Sequence, residues 1–460
     1  MNKESRKVKI GLEIHAYLTT KEKMFCSCKA ERNTTSSQIK PNTNICPICT
    51  GTPGSKPMRP NEEAIKKILQ IALILGCKVN QEMIWQRKHY SWPDLPKGYQ
   101  ITQSGAHSIP FGEKGKFEGI RITELHLEED PAQWNPETGC VDYNRSGLPL
   151  AEIVTEPDFQ SAEEVAEWIN KFLLTLSYIK AIDKNAGIKA DTNVSISKNN
   201  FQRVEIKNLS SIENIKAAIN FEVQRQESEL VQKETRRYDE AKGITTRMRS
   251  KEAAEDYRFI PDPDLPIIKI KKQEIEHAKA SLPETPQEKL DSLIKKHKID
   301  KKQADVLTSN LELVEFFEEV SAKISPQFAL PWVTTELLRV LNYNKVSLEQ
   351  TEIKTEHFAE LLEAVKDNKL TELKAKQILN SFYPKSFSIK SQIKSEGKIT
   401  DKEKLKEIAE KAIKANSKAV EDYKKGEKNS FNFLMGEIMK LSERRADFVL
   451  AREVLEKLLK

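Results

Sequence analysis

In the stretch KIGLEIHAYL, residues 9–18, Glu13 and His15 share one parity with Lys9, Gly11 and Tyr17, while Ile10, Leu12, Ile14 and Ala16 share the other. That period of two reads as a half-buried strand, with the two polar side chains on one side, about 7 Å apart along the chain. RITELHLEED, residues 121–130, repeats the arrangement: Glu124, His126, Glu128 and Asp130 oppose Thr123, Leu125 and Leu127. ADTNVSIS places Asp191 and Asn193 opposite Val194 and Ile196, VEIKN places Glu205 and Lys207 opposite Val204 and Ile206, and VDYNRSG adds Asp142 and Asn144 at the same spacing. One strand of this kind is an ordinary solvated face. Several together crowd carboxylates that repel unless a cation compensates them. A divalent metal is the natural compensator; oxygen donors favour magnesium, and histidine would also suit manganese or zinc.

Two other segments carry chemistry. RKHYSWPDLPKGYQITQSG, residues 87–105, is stiffened by proline and glycine and presents Arg87, Lys88, Tyr90, Trp92, Lys97, Tyr99, Gln100 and Gln103. Such a loop either binds phosphate or carboxylate ligands or forms a salt-bridged rim. FCSCKAERNTTSSQIKPNTNICPICTG supplies Cys26, Cys28, Cys46 and Cys49 as two close pairs separated by a loop, the layout of a tetrahedral thiolate zinc site. Four sulfurs close the coordination sphere, so such a zinc would be structural. Two disulfides or unligated thiols are the alternatives, the first disfavoured without a secretory leader. Cys77 and Cys140 read as isolated packing residues.

The elements that must position these residues fall into two kinds. Thirteen of the 16 glycines precede residue 244, together with most aromatic and turn-rich segments, so the first part reads as sheet-rich and the remainder as helical. The proline-dense PDPDLPIIKIKKQEIEHAKASLPETPQEK sets the boundary near 290. SAEEVAEWINKFLLTLSYI opens with Ser161 and Glu164 at capping-box spacing and carries Val165, Trp168, Ile169, Phe172, Leu173 and Leu176 on one stripe; Ile212, Ile215, Ile219 and Val223 form a second. The fold class expected is α+β, a mainly antiparallel sheet packed by helices, followed by an all-α domain and a small helical tail. The domains expected are 1–290, with the zinc knuckle inserted, 291–400 and 401–460, the last with three short helical stripes.

A chain of 460 residues that is 38% hydrophobic and 31% charged is that of a globular protein, and a net charge of +6 permits a polyanionic partner without demanding one. ILQIALILGC, residues 68–77, is too short to span a bilayer, and MNKESRKVKI has no apolar run behind it, so a cytoplasmic protein is expected.

The motifs GLEIHAYL, RKHYSWPDLPKGYQITQ, LHLEEDPA, VDYNRSGLPLAEIVTEPD, ADTNVSI, VEIKNLSS, ETRRYDE, MRSKE with AEDYRFIPDPD, and AVEDYKKGEKNSFNFLMGEIMK run nearly end to end. In these the chain resembles the B subunits of the aspartyl/glutamyl-tRNA amidotransferases; it is also similar to the archaeal E subunits but has no large insertion domain. The resemblance implies a first domain similar in fold to glutamine synthetase and the guanidino kinases. It implies conversion of misacylated Glu-tRNA(Gln) or Asp-tRNA(Asn) to the amide: the side-chain carboxylate attacks the γ-phosphate of ATP, Mg²⁺ offsets the meeting of two anions, and ammonia displaces phosphate. Resemblance and parity together single out Glu13, His15 and Glu128 as magnesium ligands, with Glu129, Asp191 and Glu205 behind them; strand ends bulge, so Glu129 stands beside Glu128. The resemblance further implies that Lys88 and Tyr90 border the amidation site and that Arg145 and Lys207 meet phosphate. No P-loop or dinucleotide fingerprint is present, so ATP rests on the resemblance and the acidic face.

The sequence offers neither an amidase serine signature nor a Cys/His glutaminase pair. Ammonia from glutamine must then come from another chain, which the family resemblance makes the amidase (A-type) partner, with a small C-type partner completing a heterotrimer. The tail resembles a domain that contacts the outer corner of tRNA. A zinc-ribbon RNA-binding adaptor without catalysis accounts for the cysteines and tail but not for the carboxylate and histidine cluster. A metal-dependent hydrolase would use the same face to activate water.

Overall fold

A computed structural model of the chain describes residues 7–31, 39–182, 188–250, 257–390, 393 and 397–459. Residues 251–256, within the MRSKE–AEDYRFIPDPD motif, lie outside them. The chain divides into two compact units, residues 1–285 and 286–460.

In the first unit the alternating residues form the strand Val8–Tyr17 at the centre of a nine-stranded sheet. From edge to edge the strands are Ile244–Ser250, Glu234–Asp239, Val204–Leu209, Lys189–Ile196, Val8–Tyr17, Pro149–Thr155, Ile120–Glu129, Gly112–Phe117 and Lys78–Val79. Neighbours are antiparallel throughout, except that Val204–Leu209 and Glu234–Asp239 run parallel. One face is apolar. Ile10, Ile14, Leu125, Leu127, Ile153, Val194 and Ile206 are wholly buried there, each such side chain contributing roughly 1.5–3 kcal/mol.

That face is covered by the helices Glu62–Ile74, Ala162–Tyr178 and Ile212–Ser228. Ser161 caps the second by accepting from the Glu164 amide at 3.1 Å. The returning carboxylate reaches one residue further than a capping box requires, to the Gln160 amide at 2.8 Å. Val165, Ile169, Phe172 and Leu176 are wholly buried, and Trp168 stacks on Phe172 with ring centroids 5.1 Å apart. These three helices cover the apolar face, and the opposite face of the sheet carries its polar residues.

A three-stranded sheet, with Gln86–His89 between Arg258–Pro261 and Gln100–Thr102, lies against the Ile120–Glu129 strand. It walls one side of the polar face.

The second unit is helical among its described residues. It holds one apolar core around Phe317, Val333, Leu337, Phe358, Leu361, Leu379 and Phe382, and another around Leu405, Ala409, Leu434, Ile438 and Leu455. Residues 401–459 form four helices rather than the three expected: Lys402–Ala415, Ser417–Lys424, Lys428–Leu441 and Phe448–Leu459. The extra helix, Ser417–Lys424, buries no residue fully and so left no stripe to read. Among the described residues no helix is long and apolar enough to cross a membrane.

Candidate active site

Strand register builds the polar face. Glu13 stands opposite Asp191 on one side, and His15 opposite Lys189 on one side and Glu152 on the other. Glu152 in turn faces His126, and Leu150 faces Glu128. The side chains of Glu13, His15 and Glu152 place one ligating atom each within 4.8 Å of one another. His15 Nε2 is 3.5 Å from Glu152, 3.7 Å from Glu128 and 4.0 Å from Glu13. His126 Nε2 lies 3.0 Å from Glu124 and 4.0 Å from Glu152, while its buried Nδ1 has no hydrogen-bond partner among the described residues.

Three carboxylates around one imidazole are not electrically balanced. Burial and the charge of Glu152 raise Glu13, and burial together with Glu152 pushes Glu128 up. Burial alone would lower His15, but its contact with Glu152 and the charges of Glu152, Glu128 and Glu13 outweigh it and carry the imidazole to about 9. Burial likewise opposes ionisation of Glu152, yet His15, His126 and Lys88 hold that carboxyl below its usual range. A protonated imidazole is thus the local counter-charge, and a divalent ion could replace that proton and relieve the remaining repulsion. The donor set fits an oxygen-preferring ion with one nitrogen ligand.

Glu152 escaped the sequence reading. LPLAEIVT is a nearly continuous apolar run, and its single glutamate in a strand buried on both sides was the available signal. Glu128 joins the edge of the cluster, its other oxygen accepting from the Thr102 hydroxyl at 2.9 Å. Glu129 is taken up by Lys97 and by the Ile101 amide at 3.0 Å. Asp191 and Glu205 are both claimed by Lys207, at 2.7 and 3.2 Å, and Thr235 donates to Glu205 at 3.0 Å. Alternation alone could not distinguish carboxylates with a cation of their own from carboxylates without one.

Lys88 and Tyr90 extend from the three-stranded sheet toward this cluster. Lys88 Nζ sits 4.6 Å from the centroid of the Tyr257 ring, and Tyr90 meets the same ring edge to face at 5.8 Å. Burial, with Asp94 and Glu128 nearby, raises the Tyr90 phenol, so it remains a proton donor. Arg145 donates to the carbonyls of Pro131 and Ala132 at 3.0 and 2.6 Å and pairs with Asp130 at 3.2 Å; Asp130 also accepts from the Tyr17 hydroxyl at 2.7 Å. Asp142 and Asn144 lie in the loop that grips the cysteine-bearing segment, and not on the acidic face.

The four cysteine sulfurs also lie within 4.8 Å of one another. All are free thiols, and Cys46 and Cys49 are 3.9 Å apart at sulfur, a spacing that suits a shared metal and not a disulfide. The Cys46 amide donates to Cys49 Sγ at 3.2 Å. Hydrogen bonding from Cys26 outweighs burial and, with the Cys46 amide and Lys23, lowers Cys49 to about 5; Cys26 and Cys28 are raised. Gly51, at φ +66°, closes the knuckle against the neighbouring loop, where a Cβ would come 2.2 Å from the Pro96 carbonyl oxygen.

With this geometry in place, comparison with known proteins decides the family. The sequence model of the GatB/GatE catalytic domain matches residues 8–276, and that of the GatB domain matches residues 315–459. The chain belongs to the GatB/GatE family. It is 42% identical over 472 residues to the B subunit of the aspartyl/glutamyl-tRNA(Asn/Gln) amidotransferase of Methanococcus maripaludis strain C6, covering 99% of each chain. It is 41% identical to the protein of that name from Methanocaldococcus jannaschii, over 97% of this chain and 96% of the other. The corresponding figures for Methanothermobacter thermautotrophicus strain Delta H are 42%, 96% and 97%. The acidic cluster and the thiol quartet both fall within the segment matched by the GatB/GatE catalytic domain.

Proposed function

We propose that this GatB/GatE chain is the transamidating subunit of a tRNA-dependent amidotransferase, a ligase that activates the side-chain carboxylate of Glu-tRNA(Gln) or Asp-tRNA(Asn) with ATP and amidates it. The observation that carries this is the excess of carboxylates around His15, in a chain that matches amidotransferase B subunits over nearly its full length. Glu13, His15 and Glu152, with Glu128 beside them, would hold Mg²⁺; when bound, the ion neutralises phosphate charge as two anions approach.

The chain's own residues do the rest. Lys88, set over Tyr257, presents a cation on the same side of the cluster as Glu128 and Glu152. Tyr90, kept protonated, donates a hydrogen bond beside it. Lys207, anchored by Asp191 and Glu205, and Arg145, anchored by Asp130, offer positive charge for phosphate oxygens. Cys26, Cys28, Cys46 and Cys49 would hold a structural Zn²⁺, which would brace the rim loops. Ammonia comes from glutamine through the amidase (A-type) partner, with the small C-type partner completing the heterotrimer, and the complex works in the cytoplasm. The tail, residues 401–460, meets tRNA phosphates. The likeness of the first unit to glutamine synthetase belongs to the same proposal, since that reaction also amidates a carboxylate at the expense of ATP.

The test is amidation of purified Glu-tRNA(Gln) and Asp-tRNA(Asn) by the reconstituted complex, with ATP consumption followed alongside. Aminoacyl-tRNA-dependent ATP turnover and amide formation are expected. RNA binding without ATP turnover would leave the adaptor reading standing in its place.

A further inference from the structure

Lys23 is only 1% exposed, in a sequence where 75 lysines and arginines otherwise have a large surface to occupy. Removing an ammonium from water is costly unless an anion accompanies it. Among the described residues the hydrogen-bond partner of its Nζ is a carbonyl, the Tyr143 oxygen at 3.1 Å, and not a carboxylate. The Cys49 thiol of the quartet stands close by. The Lys23 stem and Cys49 flank Gly147, where Lys23 Cδ and Cys49 Cβ lie 3.7 and 3.8 Å from the position a Cβ would take. The Lys23 amide also donates to the Cys28 carbonyl at 2.9 Å, so the residue is built into the knuckle at both ends. Four thiolates around a divalent ion carry a net charge of about −2. One buried ammonium halves it.

The same lysine touches the loop that carries Arg145. Asn144 Oδ1 accepts from the amides of Thr43 and Asn44 at 2.9 and 2.8 Å, and its Nδ2 donates to the Lys40 carbonyl at 2.9 Å. The Tyr143 amide donates to Asn42 Oδ1 at 2.7 Å, the Ser146 hydroxyl to the Cys49 carbonyl at 2.7 Å, and the Met24 amide to the Gly147 carbonyl at 2.7 Å. Residues 141–148 are therefore hung on the knuckle. Loss of the knuckle's shape would release Arg145 from the end of the strand that bears Glu128.

We propose that Lys23 is a positioning residue: it is the buried counter-cation of the thiolate quartet and, through Tyr143, transmits the metal-bound shape of the knuckle to the loop that aims Arg145. The proposal rests on the quartet being a zinc site. Its effect on chemistry is indirect, acting through Arg145.

The test uses the full-length chain with zinc, and with cobalt(II) as a spectroscopic probe. The wild type is expected to bind one metal at the quartet and to give a thiolate-to-cobalt charge-transfer band; absence of that band overturns the zinc reading and this proposal with it. Given the band, Lys23→Met, which keeps the volume of the stem, is expected to bind zinc about 10–100-fold more weakly and to exchange the 141–148 amides faster, whereas Lys23→Arg restores both. Zinc affinity within about twofold of wild type in Lys23→Met overturns the role of Lys23 while leaving the zinc reading intact. If Lys23→Met fails to fold, chelating the metal from the wild-type chain decides the coupling: faster exchange at 141–148 with the Ala162–Tyr178 helix still protected supports it, and unchanged protection at 141–148 overturns it.

Discussion

Two groups of buried carboxylates sit on opposite faces of the same sheet, and they are built on opposite principles. On the helix-covered face Glu222, wholly buried, accepts from Arg225 at 2.7 and 3.1 Å, from Gln226 at 2.9 Å and from Thr245 at 3.0 Å. Glu234 completes the knot with Arg225 at 2.7 Å and Arg236 at 3.1 Å. Charges are matched there, and the lone pairs are filled. On the other face Glu152 and Glu128 are almost as deeply buried, yet they share the imidazole of His15 at 3.5 and 3.7 Å, and Glu152 has His126 besides only at 4.0 Å. A matched knot holds strands and helix together. An unmatched one stores repulsion that a cation can relieve, and that difference separates a structural cluster from a candidate active site even though both are rich in glutamate.

The comparison is broken or sharpened most strongly by exchanging charge for amide on each side. Glu13→Gln, His15→Ala and Glu152→Gln are each expected to lower amidation by at least about 100-fold while tRNA binding is kept. For Glu13→Gln the thermal midpoint should hold or rise, because burial and the charge of Glu152 hold the Glu13 carboxyl above its usual range and the substitution removes one source of repulsion. A parallel loss of activity and melting temperature would place this cluster with the structural kind.

Glu222→Gln should behave in the opposite way. It leaves Arg225 and Arg236 facing a neutral amide in a dry site, and unfolding by denaturant should reveal a loss of about 3 kcal/mol, with amidation per folded molecule retained. The thiol quartet stands between the two cases, since on the zinc reading proposed above it serves structure alone. Cys46→Ser should reduce bound zinc and lower the melting temperature, with activity lost only as far as the rim loops loosen.

The smallest effect is expected in the tail. Asp447 caps the Phe448–Leu459 helix by accepting from the Leu450 amide at 3.0 Å and pairs with Lys398 at 2.7 Å. Asp447→Ala should cost about 1 kcal/mol and Asp447→Asn less, since asparagine still caps. Burial would raise the Asp447 carboxyl, but Lys398 and the Leu450 amide outweigh it and hold it below its usual range. Its contribution is therefore present above the unfolded value, near pH 4, and is lost as the pH falls through the lower folded one. Melting curves of the wild type and Asp447→Ala should converge in acid.

Much of the architecture was legible because it rests on local periodicity. The strands at 8–17, 120–129 and 189–196 and the helices at 162–178 and 212–228 announce themselves by alternation or by stripes that must be buried. The helix Ser417–Lys424 was silent because none of its residues is fully buried. The polar face could likewise be anticipated from Glu13, His15, Glu124, His126 and Glu128, whose parity sets them apart from the apolar residues between them.

What alternation could not supply was which strand lies beside which. Only the order of the sheet brings Glu152, distant in sequence and hidden in an apolar run, next to His15. Only the register gives Asp191 and Glu205 a lysine in direct contact, whereas among the described residues Glu128 and Glu152 have no lysine within ion-pair distance. Side-chain type and parity are properties of a segment and are written in it. Charge balance is a property of a neighbourhood, and a neighbourhood exists only after non-local pairing has chosen its members.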